Sequence, residues 1–223
     1  MIDFYYWPTP NGWKVSILLE ELGLPYTTHY VNIGAGDQFE PAFLAISPNN
    51  RMPAIVDQET GRSVFESGAI LWYLAEKTEQ FIPKDPVTRT QVMEWVCWQT
   101  GNLGPMAGQH SHFWNYAPEA EKTGYAAMRY RNEYIRCLGV IERHLEGRDY
   151  LAGAYSIADM MSWPWVLIAK AMGVPLDDLP RVSAWRQRIK ERPAVQRGVA
   201  LGKESRRQRP PSDEERARLF GQK

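Results

Sequence analysis

The sequence predicts two structural units, a mixed α/β unit over residues 1–80 and an all-helical unit over residues 88–205. In the first eighty residues, short apolar and aromatic runs alternate with segments of helical periodicity, a pattern typical of an α/β unit. From Thr88 onward the apolar residues recur only at helical spacing. The intervening segment 81–87 contains two prolines, which favours a linker.

The α/β unit begins with an aromatic strand. Apart from Asp3, residues 2–7 are apolar or aromatic, and the run stops at Pro8, as a strand does. The helix that follows has apolar residues at the i, i+3, i+4 and i+7 positions of one face, and Gly23 and Pro25 end it. The remaining elements are a strand over 26–33, a short helix over 39–46, a strand over 52–57, a return strand over 63–65 and a helix opened by Glu66 and Ser67.

The helical unit is predicted to contain several long helices. One continues from Val92 toward the Gly101–Pro105 segment, and a second covers residues 118 to 145. Another amphipathic helix covers residues 180–192. The charged tail, 206–223, follows this unit, and its first part is expected to be poorly ordered.

A capping pattern opens a further helix of this unit. Ser156 and Asp159 have the spacing of a capping box, with Asp in place of the preferred Glu. The apolar helix behind them contains Pro164, which is expected to kink it. We interpret Ser156 and Asp159 as a folding-critical cap, because no plausible His and nucleophile accompany them as a hydrolytic triad would require.

Composition places the chain among globular proteins of balanced charge. A hydrophobic fraction of 44% and a charged fraction of 23% argue against a mainly disordered chain. The 26 basic and 26 acidic residues leave no net charge to attract nucleic acid or a membrane surface. The balance is uneven along the chain, since residues 1–80 carry four basic and ten acidic side chains, a net −6, and the remainder carries +6.

The cellular compartment is predicted to be the cytoplasm. The longest apolar runs are too short to cross a bilayer, and residues 1–20 lack the pattern of a secretory signal. Cys97 and Cys137 are the two cysteines, too few for a disulfide scaffold, and we interpret them as packing residues. The His110 and His112 pair is spaced by two residues, which sends the rings to different faces of a helix, so no metal is expected.

Four segments in this order resemble the glutathione transferase superfamily over nearly the whole chain. They are Tyr-Trp-Pro-Thr-Pro-Asn-Gly at 6–12, Ser-Pro-Asn-Asn-Arg-Met-Pro-Ala-Ile-Val-Asp at 47–57, Phe-Glu-Ser-Gly-Ala-Ile at 65–70 and Ser-Ile-Ala-Asp at 156–159. Thr-Pro-Asn-Gly, together with residues 103–109, is similar to the bacterial nu-class enzymes that reduce disulfide bonds. The resemblance implies a thioredoxin-like N-terminal domain over 1–80 and an all-helical glutathione transferase C-terminal domain over 88–205.

The thiol of glutathione is expected to lie between the first strand and the first helix. A thiol with a pKa near about 8.5 is mostly protonated at neutral pH, so donors are needed near its sulfur. Thr9 and Asn11 offer a hydroxyl, an amide and the N–H groups of a helix start, although as bare residues they would be a capping pair. Tyr5 and Tyr6 are alternative donors that we rank below Thr9. Because no cysteine precedes Cys97, a protein-borne mixed disulfide is improbable.

The rest of the tripeptide is expected to meet a second group of residues. Glu66 suits the ligand ammonium and Ser67 its α-carboxylate at a helix start, where the dipole favours an anion; alternatively, Ser67 only caps the helix. The resemblance implies a cis bond between Met52 and Pro53 that exposes the backbone of Met52; alternatively, Pro53 is an ordinary proline at the start of a strand.

Two more positions match glutathione-binding positions of the family. Gln38 would meet the peptide or the glycyl end of glutathione. Arg129 would pair with a glutathione carboxylate, or it is a solvated helix arginine, and Arg51 is a weaker candidate of the same kind.

Three functions are compatible with this pattern. The first is a glutathione-dependent disulfide-bond oxidoreductase that uses reduced or oxidised glutathione and no protein cysteine. The second is conjugation of glutathione to a small electrophile held near Trp7, Phe113 and Trp114. The third is a non-catalytic interaction module of the same fold. Related proteins form homodimers, so the resemblance implies a homodimer, with no nucleic-acid or membrane partner.

Overall fold

The computed structural model describes residues 1–206 and 212–221. They form two compact units, one made of residues 1–74 with the described residues from Pro193 onward, the other made of Ala75–Arg192. Residues 207–211, which belong to the first part of the charged tail, lie outside the described residues, as do 222–223. The domain limits 1–80, 88–205 and 206–223 stay predictions.

The first unit contains the predicted alternation of strands and helices. Its sheet has the order β2-β1-β3-β4; β1 and β2 are parallel, while β3 runs antiparallel to β1 and to β4. This arrangement confirms the thioredoxin-like fold. The elements are β1 (Ile2–Tyr6), α1 (Pro10–Leu22), β2 (Tyr26–Tyr30), α2 (Pro41–Leu44), β3 (Ala54–Asp57), β4 (Arg62–Phe65) and α3 (Ser67–Thr78).

Local chemistry explains the start and end of α1. Thr9 is extended and caps the helix with its side chain. Pro10 occupies the first turn, where a backbone N–H would have no partner within the helix, so its absence in proline breaks no helical bond. Gly23 ends the helix at a φ of 63°, which favours glycine. The strand β2 is shorter than the predicted 26–33, because the chain turns at Asn32, whose side chain accepts from the backbone of Gly34 and Ala35.

The second unit is helical, and its elements α4 to α8 differ from the prediction in two places. They are α4 (Pro86–Trp98), α5 (Gly104–Asn115), α6 (Tyr125–His144), α7 (Ile157–Leu167) and α8 (Pro180–Lys190). A π-helical segment, Gln99–Leu103, joins α4 to α5, so the chain stays helical where Gly101 and Pro105 predicted an end. The helix predicted from residue 118 begins at Tyr125, because Gly124 is extended and only a 3₁₀ turn, Glu119–Glu121, precedes it.

The predicted cap of α7 is confirmed. Ser156 and Asp159 form both bonds of a capping box, and α7 continues through Pro164. The buried Asp159 carboxylate also accepts from Trp185 Nε1 at 2.8 Å and from the Leu151 backbone N–H at 3.0 Å. Burial raises the pKa of Asp159 to about 6, although these donors act in the opposite direction.

Two helices follow α8 that the sequence did not predict. The helix α9 (Pro193–Ala200) belongs to the first unit and packs along α1. The approach is close, since a Cβ on Gly198 would lie 2.8 Å from the backbone of Ile17, and Ser16 donates its hydroxyl to the Gly198 carbonyl at 2.7 Å. The helix α10 (Asp213–Phe220) begins at a capping box of Ser212 and Glu215. Among the helices of 1–206 and 212–221, none is long and apolar enough to span a membrane.

Candidate functional site

The turn between β1 and α1 holds the two residues predicted to meet the thiol. Thr9 Oγ1 accepts from the Gly12 backbone N–H at 3.3 Å, and Asn11 is the second residue of α1. A Cβ on Gly12 would clash with the Trp7 carbonyl and lie 2.7 Å from the Tyr6 ring. Glycine at position 12 therefore lets the N-terminus of α1 lie close against β1, with the positive end of the helix dipole beside Thr9.

The predicted Met52–Pro53 segment lies beside this turn. Thr9 Oγ1 lies 3.7 Å from the sulfur of Met52, and the Met52–Pro53 peptide is cis, as the resemblance implies. The Met52 side chain packs against a buried cluster that includes Val31 and Phe43. The structure therefore brings Thr9 and the Met52–Pro53 segment together, although they are far apart in sequence.

The start of α3 holds Glu66 and Ser67 in unusual environments. Glu66 is exposed and has a φ of 68°, a left-handed conformation that non-glycine residues rarely adopt and that is frequent at ligand sites. Its carbonyl accepts the first helical bond, from Ile70 N at 2.9 Å, so Glu66 occupies the position before the helix and Ser67 is the first helical residue. Ser67 is buried, and its hydroxyl accepts from Lys14 Nζ at 3.3 Å. This geometry places Ser67 in the first turn of α3, at the positive end of the helix dipole.

Lys14 is the residue of this site that sequence analysis missed. It lies on α1, is only 2% exposed, and has its pKa lowered to about 7 by burial, while Glu66 acts to raise it. A signal was present, because Lys14 is one turn before Leu18 on the predicted buried face of α1. A lysine on a buried face is rare unless it has a partner.

Gln38 lies in a tight loop after β2. It belongs to a 3₁₀ turn, Asp37–Phe39, which is held by the bond from the Asn32 N–H to the Asp37 carboxylate at 2.9 Å. The side chain is buried, and its Nε2 donates to the Ile33 carbonyl at 3.3 Å. Its Oε1 is buried with no hydrogen-bond partner among the residues the structure describes. A buried acceptor of this kind requires a donor, and a ligand amide N–H fits that requirement.

The arginines predicted to bind glutathione are both exposed. Arg129 belongs to α6 of the helical unit and pairs with Glu133 at 2.8 Å, one turn along the same helix. Glu133 also pairs with Arg136 at 3.0 Å. Arg51 precedes the cis bond, and its carbonyl accepts from the Ser47 hydroxyl at 2.8 Å. A role for Arg129 in binding stays a prediction.

The alternative thiol donors have other partners. Tyr6 is buried and donates its hydroxyl to the Leu201 carbonyl at 3.0 Å, and burial raises its pKa. The Tyr5 ring stacks on His29 at a centroid distance of 4.8 Å. The Tyr6 ring therefore belongs to the core, as expected for at least one of the two. That Thr9 is the better thiol donor stays a prediction.

The cysteines and histidines belong to the helical unit. Cys137 is buried and burial raises the pKa of its thiol, whereas Cys97 is exposed on α4. His110 is buried, and its Nε2 lies 2.9 Å from the Met172 carbonyl. Within 1–206 and 212–221, no group of three His, Cys, Asp or Glu side chains could hold a metal ion.

The helical unit also contains a cavity with an aromatic wall. It has a volume of about 380 Å³ and is lined by residues of α5, of α6 and of the connection between them. Phe113 and Trp114, which sequence analysis placed near an electrophile, both line it, with His110, Met128 and Arg131. The cavity therefore combines aromatic surface with a cation.

The fold and the site define a glutathione transferase. The family model of the glutathione S-transferase N-terminal domain matches residues 9–77, and that of the C-terminal domain matches residues 124–188. The chain belongs to the glutathione S-transferase family, so the resemblance seen in the sequence is confirmed.

Several relatives cover nearly the full length of the chain. The disulfide-bond oxidoreductase YfcG of Escherichia coli is 46% identical over 90% of this chain and 94% of its own. The crystal structure of a glutathione transferase from Burkholderia graminis, with two glutathione molecules bound per subunit, has a TM-score of 0.86 and 43% identity and covers 91% of this chain and 88% of that one. The crystal structure of a glutathione transferase from Pseudomonas putida, with one glutathione disulfide bound per subunit, has a TM-score of 0.84 and 42% identity. It covers 90% of this chain and 91% of that one.

Proposed function

We propose that this chain is a glutathione-dependent disulfide-bond oxidoreductase in which bound glutathione supplies the reacting thiolate. The observation that carries the proposal is the Thr9 turn, where a hydroxyl and the first turn of α1 converge with no cysteine in residues 1–80. The 46% identity to the disulfide-bond oxidoreductase YfcG, and the glutathione and glutathione disulfide bound in the two solved structures, support it.

The reaction proceeds by two thiol–disulfide exchanges. The thiolate of a first glutathione attacks one sulfur of the substrate disulfide; an S–S bond forms, the substrate S–S bond breaks, and the leaving thiolate takes a proton from solvent. A second glutathione thiolate then attacks the glutathione sulfur of the mixed disulfide. The products are glutathione disulfide and two substrate thiols, so two glutathione molecules supply both electrons.

Thr9 and Asn11 hold the thiolate in this scheme. Thr9 Oγ1 accepts from Gly12 N, so its own proton points to another acceptor, and in the structure that acceptor is the Met52 sulfur. A thiolate is a stronger acceptor than a thioether, and a charge-assisted bond to it lowers the pKa of the thiol. The dipole of α1 acts in the same direction.

The remaining residues orient the tripeptide. Glu66 and Ser67 take the ammonium and the carboxylate of the γ-glutamyl group, the latter at the N-terminus of α3. The Oε1 of Gln38 accepts a peptide N–H. Met52 and Pro53 present backbone groups to the cysteinyl segment, and Arg129 pairs with a carboxylate.

The direct test is glutathione-dependent reduction of a small disulfide, such as 2-hydroxyethyl disulfide, by the purified protein. Turnover above the uncatalysed rate, with one glutathione disulfide formed per substrate disulfide, supports the proposal. Absence of turnover in a folded protein that binds glutathione contradicts it and favours an interaction module.

Conjugation of glutathione to an electrophile is the second candidate. The observation that favours it is the aromatic cavity of about 380 Å³, which has the size of a small-ligand site. The assay is conjugation of 1-chloro-2,4-dinitrobenzene, run beside disulfide reduction. Fast conjugation with negligible reduction makes this the main activity.

We further propose a cytoplasmic homodimer. The net charge of −6 on residues 1–80 and of +6 on the remainder supports association of unlike surfaces across a two-fold axis. Light scattering should give twice the mass of the chain at micromolar concentration. A mass of one chain that does not change with concentration contradicts the dimer.

A further inference from the structure

A lysine is buried behind the start of α3. Lys14 is 2% exposed, and its Nζ donates to Ser67 Oγ at 3.3 Å. Removing an ammonium from water is costly, and lysine is almost never fully buried unless something compensates its charge. A charge kept at this position therefore indicates a function beyond packing.

The acidic group that acts on Lys14 is at the ligand site itself. Glu66 is the residue before Ser67 and raises the pKa of Lys14. On α9, which packs along α1, the charged residue is Arg197, and it pairs with Glu20 at 2.6 Å. Arg206, which follows α9, lies over the Trp13 ring at 4.8 Å. The Lys14 ammonium therefore lies at Ser67, and Glu66 is the acidic residue whose charge acts on it.

We propose that Lys14 is a positioning residue for the α-carboxylate of the γ-glutamyl group, acting through Ser67. This inference rests on the proposed function. The ammonium fixes the orientation of the Ser67 hydroxyl by donating to its oxygen, and a hydroxyl that accepts from a cation is polarised into a stronger donor. The same ammonium adds a formal positive charge behind the N-terminus of α3. Without Lys14, only the helix dipole of α3 would attract an anion to this position.

The arrangement couples glutathione binding to a proton. Burial lowers the pKa of Lys14 to about 7, so in the free protein the amine is partly neutral at physiological pH. A ligand carboxylate at Ser67 favours the ammonium and raises that pKa. Binding then takes up a proton, and affinity weakens as the pH rises above about 7, because more of the free protein must be protonated first.

The experiment is calorimetric titration with S-methylglutathione, which lacks a titrating thiol, at pH 6, 7 and 8. Comparing phosphate with Tris buffer gives the number of protons taken up. We expect wild type to take up about half a proton at pH 7, because a group at its pKa is half protonated. The Lys14→Met variant should take up none, bind about five- to fiftyfold more weakly at pH 6 and lose the pH dependence, whereas Lys14→Arg should restore part of the affinity without the pH dependence.

Controls separate this role from a structural one. Lys77→Met removes an exposed lysine of α3 and should change neither affinity nor proton uptake. An S-methylglutathione analogue with 4-aminobutyrate in place of glutamate lacks the α-carboxylate, so Lys14→Met should not weaken its binding further. Circular dichroism establishes that each variant is folded, and proton uptake by wild type is informative even if Lys14→Met does not fold.

Two results would overturn the inference. One is binding by wild type without proton uptake between pH 6 and 8. The other is a folded Lys14→Met variant with wild-type affinity; if wild type also reduces disulfides, the proposed function stands and only the role of Lys14 fails. A wild-type protein that binds no S-methylglutathione at any pH contradicts both proposals.

Discussion

Replacing Thr9 by valine tests the thiolate site by removing one hydroxyl at nearly constant shape. The structure gives this hydroxyl two roles, as acceptor for Gly12 N at 3.3 Å and as donor toward sulfur. Loss of the helix cap costs about 0.5–2 kcal/mol of stability. Loss of a donor to the thiolate costs about 1–3 kcal/mol of transition-state stabilisation, which corresponds to a roughly five- to hundredfold fall in turnover.

The assay is steady-state reduction of 2-hydroxyethyl disulfide by glutathione, well below the melting temperature of the variant. Glutathione binding, measured by calorimetry, should be nearly unchanged, because Gln38, Glu66 and Ser67 remain. Thr9→Ser keeps the hydroxyl and should retain most of the turnover.

Asp85→Ala is the matched control for the loss of a cap. Asp85 caps α4 and accepts from Val87 N at 3.2 Å and Thr88 N at 2.8 Å, so its removal should lower stability to a similar extent and leave turnover unchanged. Wild-type turnover by Thr9→Val, or an equal loss of turnover in Asp85→Ala and Thr9→Val, would exclude a role of the Thr9 hydroxyl at the thiolate.

Three further substitutions have distinct expected outcomes. Ser67→Ala should weaken glutathione binding by about 1.5–3 kcal/mol in calorimetry, and it should also lower the melting temperature, because the buried Lys14 Nζ loses this acceptor; a lower melting temperature with unchanged affinity would indicate a structural role only. Asp159→Asn should lower the free energy of unfolding in urea, and the loss relative to wild type should be larger at about pH 4 than at about pH 7. The reason is that the folded-state pKa of Asp159 is raised to about 6, so this carboxyl stabilises the fold below its unfolded pKa and loses that contribution as the pH rises through 6. Gly198→Ala should lower stability by about 1–3 kcal/mol, since its Cβ would lie 2.8 Å from the Ile17 backbone, whereas Gly101→Ala, with nothing within 4 Å, should not; equal stabilities would contradict the close packing of α9 on α1.

The order of strands and helices in residues 1–80 could be predicted because each boundary has a local signal. Pro8 ends β1, Gly23 ends α1 at a positive φ, and the alternation of apolar residues marks the strands. The helix α9 could not be predicted in the same way. Glycine is needed at position 198 because the Ile17 backbone lies close to it, and these two segments are far apart in sequence.

The candidate site shows the same division. Thr9 and Ser67 belong to sequence motifs, so they could be singled out without a structure. Lys14 had a sequence signal in its place on the predicted buried face of α1, but its role could not be predicted, because it arises from the bond to Ser67, a residue far from it in sequence. The start of α6 was placed too early, since Gly124 interrupts a run of residues that otherwise favours a helix.

The central claim is that glutathione, and no cysteine of the protein, carries the electrons. Replacing Cys97 and Cys137 together by alanine tests it most directly, since these are the two cysteines of the chain. Cys137 is buried and its thiol pKa is raised, so alanine there should lower stability by about 1 kcal/mol, which a thermal melt would register. The double variant should reduce 2-hydroxyethyl disulfide within about twofold of the wild-type rate and consume two glutathione molecules per disulfide. Loss of turnover in the folded double variant, or a protein–substrate mixed disulfide found by mass spectrometry during wild-type turnover, would contradict it.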